Sequence, residues 1–180
     1  ERLISVIIVG LGKYGCEMLK ALTWFCQFTN HKLKINVFDT DENASEKFRN
    51  MCPELMSKEH NNNDSEGEPH YEIIIHSGID VSVPAFERKL KTIDDATYIF
   101  VCLGDDAINL DTATKIRAIC ERIEYKYEDC NGVCNKPDIE TIIYDSTLRK
   151  SMGITWNDIM GIPETPEKEG FAEKLVKPIK

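Results

Sequence analysis

Three glycines near the start of the chain have the spacing of a phosphate-binding loop. Gly10, Gly12 and Gly15 follow the apolar run 6–9, and a helical pattern begins at Lys13. In such a strand–loop–helix unit the first glycine makes the tight turn, the second leaves room for a phosphate, and the third lets the helix approach the strand. N–H groups of the first helical turn then face the anion. The spacing predicts a nucleotide site, with a loop that only turns the chain as the alternative.

A carboxylate follows the second apolar run. Residues 33–38 alternate in polarity and lead into Asp39, Thr40 and Asp41. At the carboxyl end of the second strand, a carboxylate can accept both hydroxyls of an adenosine ribose and repels a 2′-phosphate. Asp39 is therefore predicted to bind ribose, which favours NAD or a plain adenine nucleotide over NADP. The alternative, that Asp39 and Asp41 cap the next helix, stays open. For Asp41 the two interpretations are about equally supported, whereas for Asp39 ribose binding is favoured.

The elements that must position these residues alternate along the chain. Hydrophobic periodicity predicts strands over residues 3–9, 33–38, 71–75, 97–103 and 139–144, and helices over residues 13–29, 43–55, 83–93, 107–125 and 146–152. The second helix is expected to break near Pro53. The alternation predicts an α/β fold, a Rossmann-like doubly wound parallel sheet of order 3-2-1-4-5 with helices on both faces.

This topology brings the candidate residues to one edge. Ligands of doubly wound sheets bind at the carboxyl ends of the strands, where the winding reverses, here between strands one and four. Residues 10–14, 39–41, 78–81 and 103–105 all follow strands that end on this edge. Their convergence is a stronger argument than the glycine spacing alone.

Composition excludes several other functions. The net charge is −9 and the pI is near 5.0, which disfavours nucleic acid and anionic lipid surfaces as partners. The sequence lacks an apolar run of the roughly 18 residues that span a bilayer, and it lacks a signal-peptide pattern. A cytoplasmic domain without direct membrane insertion is expected. Because the chain starts at Glu1, it is expected to be a segment of a longer polypeptide.

The positions of the predicted elements and of the cysteines indicate the domain organisation and the redox environment. Residues 1–150 are expected to form the nucleotide-binding domain, with an acidic surface insertion over 57–69, and residues 151–180 a C-terminal extension or linker. The seven cysteines are interpreted as free, mostly buried thiols of a reducing compartment. Cys130 and Cys134 raise the possibility of a metal, but they have no second pair at zinc-site spacing, so no metal is expected.

Four segments resemble the TrkA-N or RCK domain, the nucleotide-binding regulatory domain of potassium channels and transporters. They are VGLGKYG from residue 9, VFDTD from residue 37, HSGID from residue 76 and LGDDAINL from residue 103. The resemblance covers about residues 3–145. The last segment is fairly specific to that family, whereas the glycine loop is common to Rossmann proteins.

The resemblance implies a cytoplasmic domain that binds NAD(H), ATP, ADP or AMP, forms a homodimer and passes its ligand state to a membrane channel or transporter. By position it implies that the phosphates contact Gly10, Leu11, Gly12, Lys13 and Tyr14, and that the ribose lies at Asp39, Thr40 and Asp41. It also implies that Ile79 and Asp80 lie at the edge of the adenine, and that Leu103 and Gly104 form the floor of the site. Ile79 departs from the family pattern because it interrupts the usual Gly-Asp turn.

Three functions remain open at this point. The first is a ligand-sensing regulatory module without chemistry of its own. The second is a fragment of an NAD-dependent oxidoreductase, which would need a substrate domain and a proton donor beside the nicotinamide. The third is a Rossmann-shaped scaffold that serves only dimerisation and binds no nucleotide. The sequence favours the first, because little chain follows the fifth strand and no tyrosine is followed four residues later by lysine, as short-chain reductases require.

Overall fold

Five strands alternate with helices along the described part of the chain. The computed structural model describes residues 2–26, 31–56, 71–125 and 136–145. The strands are β1 (Arg2–Val9), β2 (His31–Phe38), β3 (Tyr71–His76), β4 (Tyr98–Val101) and β5 (Asp138–Thr141). The helices are α1 (Lys13–Phe25), α2 (Ala44–Met51), α3 (Pro53–Met56), α4 (Pro84–Leu90) and α5 (Asp106–Cys120).

The strands form one parallel sheet in the order β3-β2-β1-β4-β5. On β1, Val6 lies beside Ile35 of β2 on one side and beside Tyr98 of β4 on the other. The winding reverses between β1 and β4, so the predicted Rossmann-like α/β fold and strand order are confirmed. The prediction that the run 97–103 lies next to the first strand is also confirmed.

Alternate side chains of β1 enter two separate cores. Val6 and Ile8 pack with residues of α1, α2 and α3, whereas Ile7 and Val9 pack with residues of α4 and α5. All four side chains are at most 1% exposed. A strand that is apolar on both faces is typical of a parallel sheet covered by helices on both sides. The core therefore fixes both layers against the same central strand.

Two of the three glycines are required by the close approach of α1 to the end of β1. Gly10 has φ of +95°, a conformation that side chains disfavour. A Cβ on Gly15 would lie 1.8 Å from the carbonyl oxygen of Gly10. The structural roles predicted for these two positions are confirmed.

Several element ends differ from the periodicity-based bounds. The predicted helix 13–29 ends at Phe25, and Phe25 is 77% exposed. The buried residues of α1 are Gly15, Cys16, Met18, Leu19 and Thr23. Phe25 lies seven residues after Met18, on the same side of the helix, but it is the last residue of α1. The helix predicted over 43–55 is divided into α2 and α3 at Pro53, as expected.

Other bounds are shorter than the apolar runs that suggested them. The strand predicted over 97–103 ends at Val101, the strand over 139–144 ends at Thr141, and the helix from residue 107 ends at Cys120. The predicted insertion 57–69, the helix over 146–152, the extension 151–180 and the pair Cys130 and Cys134 lie outside the described residues. Within the described ranges, every helix is too short or too polar to cross a bilayer.

Replacement of Gly15 by alanine tests the close approach. Because the added methyl would meet the Gly10 carbonyl at 1.8 Å, α1 must shift, and we expect the free energy of unfolding to fall by about 2 kcal/mol or more. Gly104→Ala is the matched control, since a Cβ there meets nothing within 4 Å. Urea denaturation should separate the two variants, and equal stabilities would contradict the assigned role of Gly15.

Candidate functional site

A cavity of about 370 Å³ opens at the carboxyl edge of the sheet, between the ends of β1 and β2 and the flank of α5. Its size lies at the lower end of the range for small-molecule pockets, about 300–1,000 Å³. The lining residues are Val9, Gly10, Phe38, Asp39, Thr40, Ile79, Asp80, Val81, Ser82, Leu103, Ile108, Asp111, Thr112 and Lys115. The cavity thus occupies the edge predicted from the strand order.

The predicted site residues divide into two groups. Those at the cavity are Gly10, Asp39, Thr40, Ile79, Asp80 and Leu103. Those outside its lining are Leu11, Gly12, Lys13, Tyr14, Asp41 and Gly104. The first group contains Gly10 and most of the residues expected at ribose and base. The second group consists mainly of those expected at phosphates, in and after the glycine loop.

Asp39 is held in place by two backbone amides. Its Oδ2 accepts the N–H of Leu11 at 2.6 Å, and its Oδ1 accepts the N–H of Asp41 at 2.8 Å. An ionised carboxylate offers about four acceptor positions, so each oxygen retains capacity for another donor. The side chain is half-buried and lines the cavity. Asp39 therefore presents a fixed, charged acceptor to whatever enters.

The Leu11 amide has a different partner from the one predicted. Its N–H is bonded to Asp39 rather than directed only to a ligand. The first intrahelical bond of α1 runs from Cys16 N–H to Gly12 O at 2.9 Å. The amides of Lys13 and Tyr14 precede that ladder, as first-turn amides of a helix do. These amides are the donors that the helix start offers to an anion.

Gly12 borders open space. A Cβ at this position would meet nothing within 4 Å, and its φ of −67° and ψ of −166° are accessible to any residue. Neither packing nor backbone conformation therefore requires glycine here, in contrast to Gly10 and Gly15. A ligand approaching the backbone would supply such a requirement.

Asp41 serves the start of α2, the alternative that the sequence left open. Its Oδ1 accepts the N–H of Asn43 at 2.9 Å, and its Oδ2 pairs with Lys47. These bonds lower the pKa of the Asp41 carboxyl, the Lys47 bond contributing most. Asp39 alone of the two carboxylates lines the cavity.

The loop after β3 is bonded to the loop that carries Asp39. Ile79 N–H donates to Asp39 O at 2.8 Å, and Gly78 N–H donates to Asp41 O at 3.2 Å. Asp39 N–H in turn donates to the carbonyl of His76 at 3.2 Å. The His76 ring packs on Phe38 with centroids 4.7 Å apart, and burial lowers its pKa. Two of the four predicted loops therefore form one rigid wall.

Residues of the segment LGDDAINL have structural partners. Asp105 caps α5 by accepting the N–H of Ile108 at 3.0 Å. Asp106 accepts the N–H groups of Tyr144 at 2.7 Å and Asp145 at 2.8 Å. Both acids lie at the positive end of the α5 dipole, which favours them there. Asp106 has the additional role of fixing the chain beyond β5.

Asn109 connects the ends of β4 and β5 to α5. It is fully buried, its Oδ1 accepts Leu103 N–H at 2.8 Å, and its Nδ2 donates to Leu103 O at 3.1 Å and Ile142 O at 2.9 Å. These bonds take Leu103 out of the sheet ladder, which is why β4 ends before it. They also place Leu103 at the cavity.

One wall of the cavity was not predicted. It consists of Ser82, Ile108, Asp111, Thr112 and Lys115. The four α5 residues recur at spacings of three and four, which is one helical face. That spacing was visible in the sequence, but it marks a site only once the rotation of α5 against the sheet is known.

The charged side chains of the cavity lining favour an uncharged polar group over a phosphate. Asp39, Asp80 and Asp111 all line the cavity. Bonds from the Ser82 hydroxyl and amide lower the pKa of Asp80, so it is ionised at neutral pH. The Lys115 ammonium donates to the carbonyl of Val81. A phosphate inside would meet these carboxylates, whereas hydroxyl and amino groups would find acceptors.

The described residues contain no group of three or more His, Cys, Asp or Glu side chains that could hold a metal. Five cysteines are described, and all are free thiols: Cys16, Cys26, Cys52, Cys102 and Cys120. Burial raises the pKa of the Cys102 thiol to about 12. These five agree with the predicted interpretation of free cysteines, and most of them are buried.

Comparisons with family models, curated proteins and solved structures give no match for this chain. The TrkA-N or RCK resemblance therefore stays a prediction from the four quoted segments.

Substitution of Asn109 tests the connection between α5 and the sheet. Asn109→Leu keeps the approximate volume but leaves Leu103 N–H and Ile142 O without their side-chain partner, and leaves Leu103 O with the Tyr144 hydroxyl alone. We expect the free energy of unfolding to fall by about 2–4 kcal/mol. Asn43→Ala is the control, because Asn43 is exposed and makes no side-chain cap bond to α2. Chemical denaturation that found the two variants equally stable would contradict the role of Asn109.

Proposed function

We propose that this chain is a nucleotide-binding regulatory domain whose ligand is NAD(H) or an adenine nucleotide. The observation that carries the proposal is the cavity at the winding reversal, with Asp39 fixed inside it by the amides of Leu11 and Asp41. A carboxylate in this position with spare acceptor capacity suits two neighbouring hydroxyls. The fold class by itself would not support a function.

The residues present fit the parts of such a ligand. Asp39 would accept the ribose hydroxyls, and the apolar side chains of Ile79 and Leu103 would contact the base. The phosphates would lie outside the acidic cavity, along Gly12 and the first-turn amides of α1, where the backbone borders open space. The acidity of the cavity and the position of the helix start therefore support the same orientation.

The carboxylate also supports a choice between cofactors. NADP carries a phosphate on the 2′-oxygen, which in this orientation would approach the charged Asp39. NAD(H), ATP, ADP and AMP carry a free hydroxyl there. A bound nucleotide would serve as a signal, held by the backbone and by Asp39, without a reaction performed by this domain.

The partners of the domain belong to the same proposal. The four segments that resemble the TrkA-N or RCK domain support a homodimer that reports nucleotide state to a potassium channel or transporter. That part of the proposal rests on the resemblance alone. The nucleotide part rests on the cavity as well, and it can be tested separately.

The test is stabilisation by ligand, measured with ADP and NAD on the 180-residue chain. A ligand present at about 100 times its Kd raises the free energy of unfolding by about 2.7 kcal/mol. Gly12→Asp places a negative charge beside the proposed phosphates, and we expect it to weaken ADP binding at least about tenfold. Because Gly12 borders open space, the fold should survive this change.

Asn50→Asp is the charge-matched control, since it adds the same carboxylate to an exposed position of α2. It should bind ADP like the unaltered chain. Absence of stabilisation by either nucleotide would favour the dimerisation scaffold instead. Unchanged ADP affinity in Gly12→Asp would show that the phosphates lie elsewhere.

A further inference from the structure

Two tyrosines from distant parts of the chain meet beside the glycine loop. Tyr14 belongs to the first turn of α1, and Tyr144 follows β5. Their ring centroids are 5.2 Å apart and the ring planes are inclined at 55°. Tilted aromatic pairs at this separation contribute about 0.5–1.5 kcal/mol beyond their buried area. The pair therefore attaches the start of α1 to the far edge of the sheet.

Tyr144 is itself fixed by two bonds. Its hydroxyl donates to Leu103 O at 2.8 Å, and its backbone N–H donates to Asp106 Oδ1 at 2.7 Å. Leu103 is in turn held by Asn109, which is fully buried. Tyr144 is thus held in place by hydrogen bonds that connect it, through Leu103 and Asp106, to α5.

The Tyr14 ring, which packs on Tyr144, also contacts the side chain of Lys13. The Lys13 ammonium lies 5.8 Å from the centroid of the Tyr14 ring, within the range of a cation–π contact. Lys13 is exposed and otherwise belongs to a helix start that precedes the first intrahelical bond. Without the Tyr14 ring beside it, its long side chain would sample many rotamers.

We propose that Tyr144 is a positioning residue of the phosphate end of the site, acting through Tyr14 on Lys13. This inference rests on the proposed function, because it assumes a nucleotide whose phosphates lie at the start of α1. Tyr144 does not line the cavity. It favours ligands that carry phosphate, through the placement of Lys13, and leaves recognition of ribose and base to Asp39 and the cavity.

The test compares two probes, ADP and adenosine, by isothermal titration calorimetry. Tyr144→Ala removes the support, and we expect ADP affinity to fall about 3- to 10-fold while adenosine affinity changes less than about twofold. Tyr144→Phe keeps the ring and should retain most of the ADP preference. Tyr98→Ala is the control, because Tyr98 is an exposed tyrosine of β4 that stacks on Phe100.

A double variant distinguishes positioning from general stability. In a Lys13→Gln background, Tyr144→Ala should leave the ratio of ADP to adenosine affinity unchanged, since the cation it positions is gone. If Tyr144→Ala does not fold, Tyr14→Leu removes the same ring contact from the other side and should show the same loss of ADP preference.

Three other outcomes are decisive. An equal loss for ADP and adenosine would make Tyr144 merely structural and overturn the inference. An ADP preference unaffected by Tyr144→Ala and by Tyr14→Leu would overturn it as well. If the unaltered chain binds neither probe, the proposed function fails and this inference fails with it. The first two leave the nucleotide site intact, so the two failures are distinguishable.

Discussion

The structure of the site depends on the carboxylate of Asp39. One oxygen accepts the amide of Leu11 in the glycine loop, and the other accepts the amide of Asp41 at the start of the next loop. The loop after β3 is bonded to the same segment through Ile79 N–H and Gly78 N–H. Through its carboxylate and the backbone of its own loop, the half-buried Asp39 thus connects the loops that follow three strands. Backbone donors fix its orientation in the absence of any ligand, which is the kind of preorganisation that lowers the cost of binding.

The close contact of α1 with β1 explains why this carboxylate can reach the glycine loop. Gly15 allows the helix to rest on the carbonyl of Gly10, and Gly10 adopts a left-handed conformation that brings the loop back over β2. The Gly10 amide donates to Phe38 O at 2.8 Å, one residue before Asp39. The glycines therefore have two distinct roles. Gly10 and Gly15 build the loop, and Gly12 leaves its outer side open.

Much of the fold could be predicted because it depends on local patterns. The strand β1 is apolar on both faces, the glycines mark the first crossover, and the alternation of elements gives the strand order. Element ends were less predictable, since they depend on tertiary partners. β4 ends early because Asn109 binds both backbone groups of Leu103. Phe25 is exposed at the last residue of α1, although it lies on the same side of the helix as the buried Met18.

The site was predictable where it follows strand ends and unpredictable where it depends on helix rotation. Asp39, Ile79 and Leu103 follow strands, so topology alone placed them at one edge. The α5 residues of the cavity wall, such as Asp111 and Lys115, could be assigned to the site only once the packing of α5 on the sheet was known. Asp41 shows the opposite case, since a single residue separates this carboxylate, which serves a helix start, from the cavity carboxylate of Asp39. Sequence distance from a motif is therefore a weaker guide than the bonds each side chain makes.

A crystal structure of the chain with bound ADP would test the central claim most directly. The account predicts ribose hydroxyls within about 3 Å of the Asp39 carboxylate, the base in the cavity, and phosphate oxygens at the amides of the first turn of α1. ADP bound with its phosphates inside the acidic cavity, or bound away from Asp39, would contradict it.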